Sequence, residues 1–315
     1  MKVLSLFDGI SCGMVALERA GIPVERYVAY EIDEAAKIVS KDNYPIIEQC
    51  GDVFNADFSQ YKGFDLLIGG SPCTYWSIAQ SADKRETTSS GMGFDLFMQY
   101  VRALRESGCT YFLYENNKSM SNDIKAEITK HLGVEPIMIN SALVSAQNRE
   151  RYYWTNIPNV QLPDDKHISL IDIMSSDDFK PYNGGALIRQ KPDLTEKVDK
   201  MHMIGATNQQ CSIGCRVYDL YGKAKTLCSQ AGGGGAKAGL YYVDGEVKNL
   251  RVSGAEKLQT LPVGYTKAVK PETGISLCGN GWTVSVISHL LSNIPERKSK
   301  LTISKWLKDL LGDCL

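Results

Sequence analysis

The sequence predicts an α/β fold, an open sheet of parallel strands with crossover helices, joined to a smaller second domain. Short apolar runs at residues 3–7, 27–30, 64–68 and 111–114 alternate with helix-period segments at 14–20, 34–43, 94–104 and 122–132, the order of a sheet built from crossover units. The runs close on glycine or acid: Asp8-Gly9, Glu31, Gly69-Gly70 and Glu115. Loops beyond strand carboxyl ends are where such sheets bind ligands. Past Pro158 the rhythm stops, and glycine, charge and short strands take over to about Lys248. The expected divisions are therefore 1–158, a second domain at 159–248, and a return to the first domain at 249–315.

The first strand runs into Asp8-Gly9-Ile10-Ser11-Cys12-Gly13, a glycine-bearing turn that opens a helix. A helix start without Cβ atoms lets a ligand approach the backbone. The spacing is not GxGxxG, so no dinucleotide fingerprint is present. The second strand closes on Glu31-Ile32-Asp33, about twenty residues beyond the turn, which suits a carboxylate to the two hydroxyls of a ribose. For Asp33 a helix N-cap serves equally well. A third acidic turn, Gly51-Asp52-Val53, follows, and the three loops outline an adenosine pocket.

The stretch from Gly69 through Ser71-Pro72-Cys73 to Ser77 follows the strand at 64–68. Proline holds Ser71 extended and fixes how the loop leaves the sheet. Cysteine taken alone is more often a buried structural thiol than a reagent. Residues 74–93 are polar and lack apolar periodicity, a loop of lid or linker length. The strand at 111–114 brings Glu115, Asn116 and Asn117 to the same sheet edge. After a strand at 135–140, Gln147-Asn148-Arg149-Glu150-Arg151 precedes the strand 152–155, and alternation turns Arg149 and Arg151 to one face. Such a pair suits an anionic or carbonyl-rich ligand, although a solvated ion-pair face is its commoner use. The glycine run at 229–237 is either a linker or a loop that lets another molecule approach its backbone. Amphipathic helices at 285–291 and 303–311 close the chain.

At 315 residues and a net charge of −1, the chain lacks the global basic balance of many nucleic-acid binders. Charge is uneven: residues 1–72 carry six Lys/Arg against eleven Asp/Glu, whereas 180–237 carry nine against four. That second balance allows a local basic patch or an ordinary solvated face. Nine scattered cysteines, an odd number, point to a reducing compartment over a disulfide framework. Cys211 and Cys215 lack the partners of a four-ligand zinc site, and no metal is expected. Neither a signal peptide nor a membrane-spanning run is apparent, so the expected location is cytoplasmic.

In order, LFDGISCG, EID, GDV, GGSPC, YENN, QNRER, LRVSGAEKLQTLP and GNGWTV resemble the motif series of the DNA cytosine-5 methyltransferases, across nearly the whole chain outside about 159–248. LSLFDGIS, GGSPC and Trp282-Thr283-Val284 look like the eukaryotic de novo enzymes; QNRER looks like bacterial and phage ones. The resemblance implies a Rossmann-like S-adenosylmethionine-dependent methyltransferase sheet with a small target-recognition domain. It implies Cys73 as the nucleophile at cytosine C6, Glu115 at the N3 and amino edge, Arg151 at O2, and Arg149 as electrostatic support. S-adenosyl-L-methionine, giving S-adenosyl-L-homocysteine, would be held by Phe7, Asp8, Gly9, Ser11, Gly13, Glu31, Ile32, Asp52, Val53, Ser71, Asn280 and Val284. Pro72, Ser77, Ser81, Asn116 and Gln147 would bind the substrate, double-stranded DNA with its target cytosine flipped out, Ser77 and Ser81 as contacts to the DNA. The implied setting is a monomer in a bacterial or phage-infected cell, with a cognate restriction endonuclease as one partner. Two departures stand out: Asn117 replaces the small apolar residue that usually ends the ENV motif, and Leu261 replaces the usual Phe.

Rival readings differ at identifiable residues. The branch that modifies transfer RNA usually carries Pro-Pro-Cys and Cys-Phe-Thr motifs; this chain has Ser71-Pro72-Cys73 and no Cys-Phe-Thr. A catalytically silent DNA-binding homologue would not need Cys73, Glu115 and Arg151 together.

Overall fold

The computed structural model describes residues 1–77, 85–189, 196–229, 235 and 237–295, without the side chains of Cys73 and Ile213. Ser81, most of the glycine run and the helix expected at 303–311 lie outside the described residues.

Strands β1 (Lys2–Leu6), β2 (Arg26–Tyr30), β3 (Glu48–Gln49), β4 (Leu66–Gly69), β5 (Tyr111–Asn117), β6 (Ile137–Asn140) and β7 (Glu150–Thr155) form one sheet in the order β3-β2-β1-β4-β5-β7-β6. Pairing from β3 to β5 is parallel, and β7 runs antiparallel between β5 and β6. The chain order reverses between β1 and β4. At such a switch point neighbouring loops part and leave a crevice at the carboxyl edge.

Side-chain alternation divides the core. Val3, Tyr27, Ala29, Leu66, Ile68, Leu113 and Tyr153 face helix α1 (Cys12–Arg19) and helix α8 (Val284–Leu291). Leu4, Leu6, Val28, Leu67, Phe112, Tyr114 and Trp154 face the other way, towards α3 (Met92–Ser107) and α4 (Asn122–Leu132). This period of two assigns residues 115 and 151 to the α1/α8 face and residue 116 to the opposite one. Helix α2 (Glu34–Asn43) begins at Asp33, whose Oδ1 accepts from the amides of Ala35 (2.9 Å) and Ala36 (3.3 Å), so Asp33 is the N-cap.

After the short helix α5 (Leu170–Ile173), a second sheet comprises β8 (Phe179–Pro181), β9 (Leu187–Ile188), β10 (Met203–Ala206), β11 (Arg216–Tyr218), β12 (Leu240–Val243) and β13 (Glu246–Leu250), in the order β8-β13-β12-β11-β10-β9. Helices α6 (Val252–Leu258) and α7 (Pro271–Asn280) then lead back to α8. Two of the lysines that made residues 180–237 basic are buried. Lys223 Nζ donates to the carbonyls of Ala142 (2.9 Å) and Ile168 (2.7 Å), and Lys225 is 5% exposed. They serve the interior, and burial pushes both amines downward.

Candidate active site

The turn after β1 is left-handed at Phe7 (φ 57°), Gly9 (58°) and Ser11 (59°). Two of these are not glycine, so the conformation must be held from outside. The Asp8 carboxylate does this, accepting from Ser5 Oγ (2.6 Å), Tyr27 Oη (2.7 Å) and Ser11 Oγ. Burial raises its pKa, and these hydroxyls oppose the rise. Glu31 is also fixed in advance: Oε1 accepts from the amides of Ile32 and Asp33, and Oε2 from that of Gly9, each at 2.8 Å. Burial pushes the Glu31 carboxyl upward against these three donors. Its remaining lone pairs are available to ligand hydroxyls.

One cavity is lined by Ile32, Asp52, Val53, Tyr30 and Leu96, and a second by Glu115, Arg149, Arg151, Asn280 and Trp282. Both are lined by Phe7, Glu31, Pro72 and Thr74, so they form one groove with a waist. In the second cavity Arg151 Nε lies 2.9 Å from Glu115 Oε1, and Trp282 Nε1 donates to Glu115 Oε2 at 3.0 Å. The Glu115 and Arg151 side chains are 12% and 13% exposed, so their attraction is little screened by solvent. A Cβ on Gly70 would come within 2.8 Å of Glu115 Oε2. Only glycine lets the cysteine-bearing loop pass this close. Cys73 begins a single 3-10 turn (Cys73–Tyr75) between Pro72 and Thr74, at the waist. Cys12 also lines the groove, but burial pushes its thiol to about 12, leaving it protonated at neutral pH.

The polar loop after Cys73 is tied at its described ends. Glu86 donates its amide to Tyr75 O (2.8 Å), while its Oε2 accepts from Trp76 Nε1 (3.2 Å) and the Gly93 amide (3.1 Å). Trp76 is fully buried, and Ser77 sits beside it without lining the groove.

Five further expected site residues lie behind the walls. Ser11 is buried on Asp8 and Ser40, and a Cβ on Gly13 would strike Ile68 Cδ1 at 2.4 Å, so both serve packing of the turn. Val284 is buried in α8. Asn116 points to the α3/α4 face, as the strand period requires, and donates to Ser71 O (3.0 Å) and Tyr114 Oη (3.2 Å). Ser71 lines the groove through its loop while its Oγ pairs with Tyr114 Oη at 2.6 Å. Gln147 is wholly buried, accepting from the Leu227 amide (2.8 Å) and donating to Leu258 O (3.2 Å). Arg149 reaches the groove, yet its guanidinium donates to three carbonyls: Leu227 (3.0 Å), Gly279 (3.0 Å) and Gly281 (2.9 Å). It clamps the segment that enters the glycine run to the loop before α8. Asn117 is accommodated by hydrogen bonding, with Oδ1 accepting from Ser119 Oγ at 3.0 Å.

Trp282 is the main group that residue-type reasoning passed over. GNGWTV marked the segment, but an indole N–H aimed at a carboxylate 167 positions away has no local signal. Away from the groove, Asp165, His167 and Asp199 cluster at the surface, with His167 Nδ1 2.9 Å from Asp199 Oδ2 and Lys223 Nζ 3.9 Å from Asp199 Oδ1. The lysine supplies that cluster with a cation of its own. No helix among the described residues is long and apolar enough to cross a membrane.

Fold and groove together define an α/β protein in which a groove at the carboxyl edge of the sheet holds a largely buried carboxylate–guanidinium pair beside the loop that carries Cys73. Residues 1–296 match the family model described as C-5 cytosine-specific DNA methylase, and the chain belongs to that family of cytosine-5 methyltransferases. The orphan methyltransferase M.SPRI of Bacillus phage SPR is 34% identical over 165 residues, 49% of this chain and 37% of that protein. The alignment thus spans little more than a third of the phage relative. Type II methyltransferase M.HhaI of Haemophilus parahaemolyticus is 24% identical over 322 residues, 93% of this chain and 94% of that protein. A solved structure of a Spodoptera frugiperda DNMT2 variant shares the fold, with a TM-score of 0.67 and 16% identity over 93% of this chain and 98% of that one.

Proposed function

We propose that this protein transfers a methyl group from S-adenosyl-L-methionine to C5 of a cytosine flipped out of double-stranded DNA. The observation that carries the reading is the largely buried Glu115–Arg151 pair, which shares one groove with the pre-fixed carboxylate of Glu31. The residues present suit the donor. Phe7, Ile32 and Val53 offer apolar surface to an adenine, Asp52 an acceptor for its amino group, and Glu31 an acceptor for ribose hydroxyls. When bound, the donor supplies an electrophilic methyl group.

The chain's own residues do the rest. Cytosine C5 is a weak nucleophile until something adds at C6. The Cys73 thiolate forms the S–C6 bond, and the displaced electron pair passes into the ring as an enamine that C5 can use for attack. Glu115 accepts from the amino group and, carrying a proton, donates to N3, while Arg151 donates to O2, so the negative charge developing on addition is met in place. After C5 takes the methyl group, its proton leaves to water. The electrons of the C5–H bond restore the double bond as the S–C6 bond breaks and frees the thiolate. Flipping the base costs a few kcal/mol of lost stacking, offset by pocket contacts.

The second sheet and the glycine run act as the target-recognition element, with exposed Lys and Arg on phosphates. The test is methyl transfer by Cys73→Ala and wild-type protein on duplex DNA. The variant should lose transfer by at least about a thousandfold, as removal of a covalent nucleophile does, while binding DNA with near wild-type affinity. Retained transfer in the variant would refute the covalent route.

A further inference from the structure

We propose that Trp282 is a positioning residue that sets the plane of the Glu115 carboxylate through its indole N–H, an inference that rests on the proposed role of Glu115 at the cytosine edge. The two carboxylate oxygens are engaged by different parts of the chain: Oε1 by Arg151 Nε from β7 at 2.9 Å, and Oε2 by Trp282 Nε1 from the loop before α8 at 3.0 Å. Two donors on two oxygens remove the rotation that a single ion pair would leave free. The loop bearing the indole is itself immobilised. Gly281 O accepts from Arg149 Nη2 (2.9 Å) and from Gln259 Nε2 (3.2 Å), and Thr283 Oγ1 donates to Gln259 Oε1 (2.8 Å). A Cβ on Gly70 would approach Trp282 Nε1 to 3.5 Å and Glu115 Oε2 to 2.8 Å, so Gly70 keeps clear the space where the two groups meet.

An aromatic wall for the groove would be served equally well by a phenyl ring. The oriented N–H is what distinguishes positioning from lining. Arg149, through Gly281 and Trp282, therefore acts on Glu115 without meeting the base.

The test pairs a kinetic split with a spectroscopic readout. Trp282→Phe keeps the ring and removes the donor. Its single-turnover methyl-transfer rate should fall about tenfold, the loss expected for one hydrogen bond to a charged group, while its affinity for S-adenosyl-L-methionine stays within about threefold of wild type. In the wild-type protein the Trp282 indole ¹⁵N–¹H resonance, one of four tryptophans and assigned through its own backbone, should move upfield in Glu115→Ala. An unchanged rate in Trp282→Phe, a loss confined to donor affinity, or an indole resonance indifferent to Glu115→Ala overturns the proposal. The resonance measurement needs no turnover. A wild-type protein inactive on DNA thus fails the proposed function separately, while the resonance still decides the contact.

Discussion

At the scale of single residues the groove is built from groups fixed before any ligand arrives. Glu31 carries three backbone amides, so replacing it with Gln exchanges an acceptor-only group for one whose NH2 faces amide donors. Calorimetric affinity of Glu31→Gln for S-adenosyl-L-methionine should fall about tenfold or more. The same carboxyl gives a pH dependence. Its pKa is raised above the ordinary 4.5 by burial, and hydroxyl recognition needs the ionised form. Donor affinity should therefore be level near neutrality and decline as pH falls through that raised value, at a higher pH than an exposed glutamate would produce. Gly70→Ala should fold yet lose most methyl transfer, because the added Cβ would meet both the backbone and the carboxylate oxygen of Glu115 at 2.8 Å. Cys73, Glu115 and Arg151, the residues proposed to carry the chemistry, are named by motif order alone. The hydrogen-bond partners are not: Trp282 meets Glu115 across 167 positions, a relation that only the folded chain creates.

At the scale of elements, strand periodicity explains which expected residues face the groove. Glu115 and Arg151 share parity with Leu113 and Tyr153, whereas Asn116 shares it with Tyr114 and is turned inward to Ser71. Parity is readable in a sequence once the register is known, but a motif read as a block hides it. Gln147 illustrates a different limit. It precedes β7 in a motif of charged and polar residues, yet it is buried where residues 146–148 meet residues 224–227, with a backbone bridge between Gln147 and Ala224. Gln147→Leu would strand the Leu227 amide, while the Leu258 carbonyl keeps Ser145 Oγ at 2.7 Å, and urea unfolding should show a loss of about 2 kcal/mol. Asp178 ties α6 to the residues before β8, accepting from Lys257 Nζ (2.6 Å) and Ser253 Oγ (2.7 Å). Burial opposes its ionisation, but Lys257, the Ser175 amide and Ser253 hold its pKa below 3.8. The stabilisation from this contact is thus complete above that value and is lost as pH falls through the lowered one. Asp178→Asn should therefore be less stable than wild type at neutral pH and begin acid unfolding at a higher pH, with the stability gap closing as pH falls through the lowered value.

At the scale of the whole molecule, two distant parts of the chain complete one groove. Residues 1–155 supply the sheet and its switch point, and residues 277–282 return to supply the wall that meets Glu115. The division at about 158 and 248 was suggested by the loss of βα rhythm, and the second sheet extends from Phe179 to Leu250. Within the basic stretch, Lys223 and Lys225 are spent on buried carbonyls rather than displayed. Burial cannot be counted from charge alone. The most direct measurement is transfer of labelled methyl from S-adenosyl-L-methionine to mixed-sequence duplex DNA and, in parallel, to transfer RNA, with base-resolution mapping of 5-methylcytosine. Label at C5 of cytosines within a defined DNA sequence is the expected result. Label confined to RNA, or none in either with the donor bound, would contradict it.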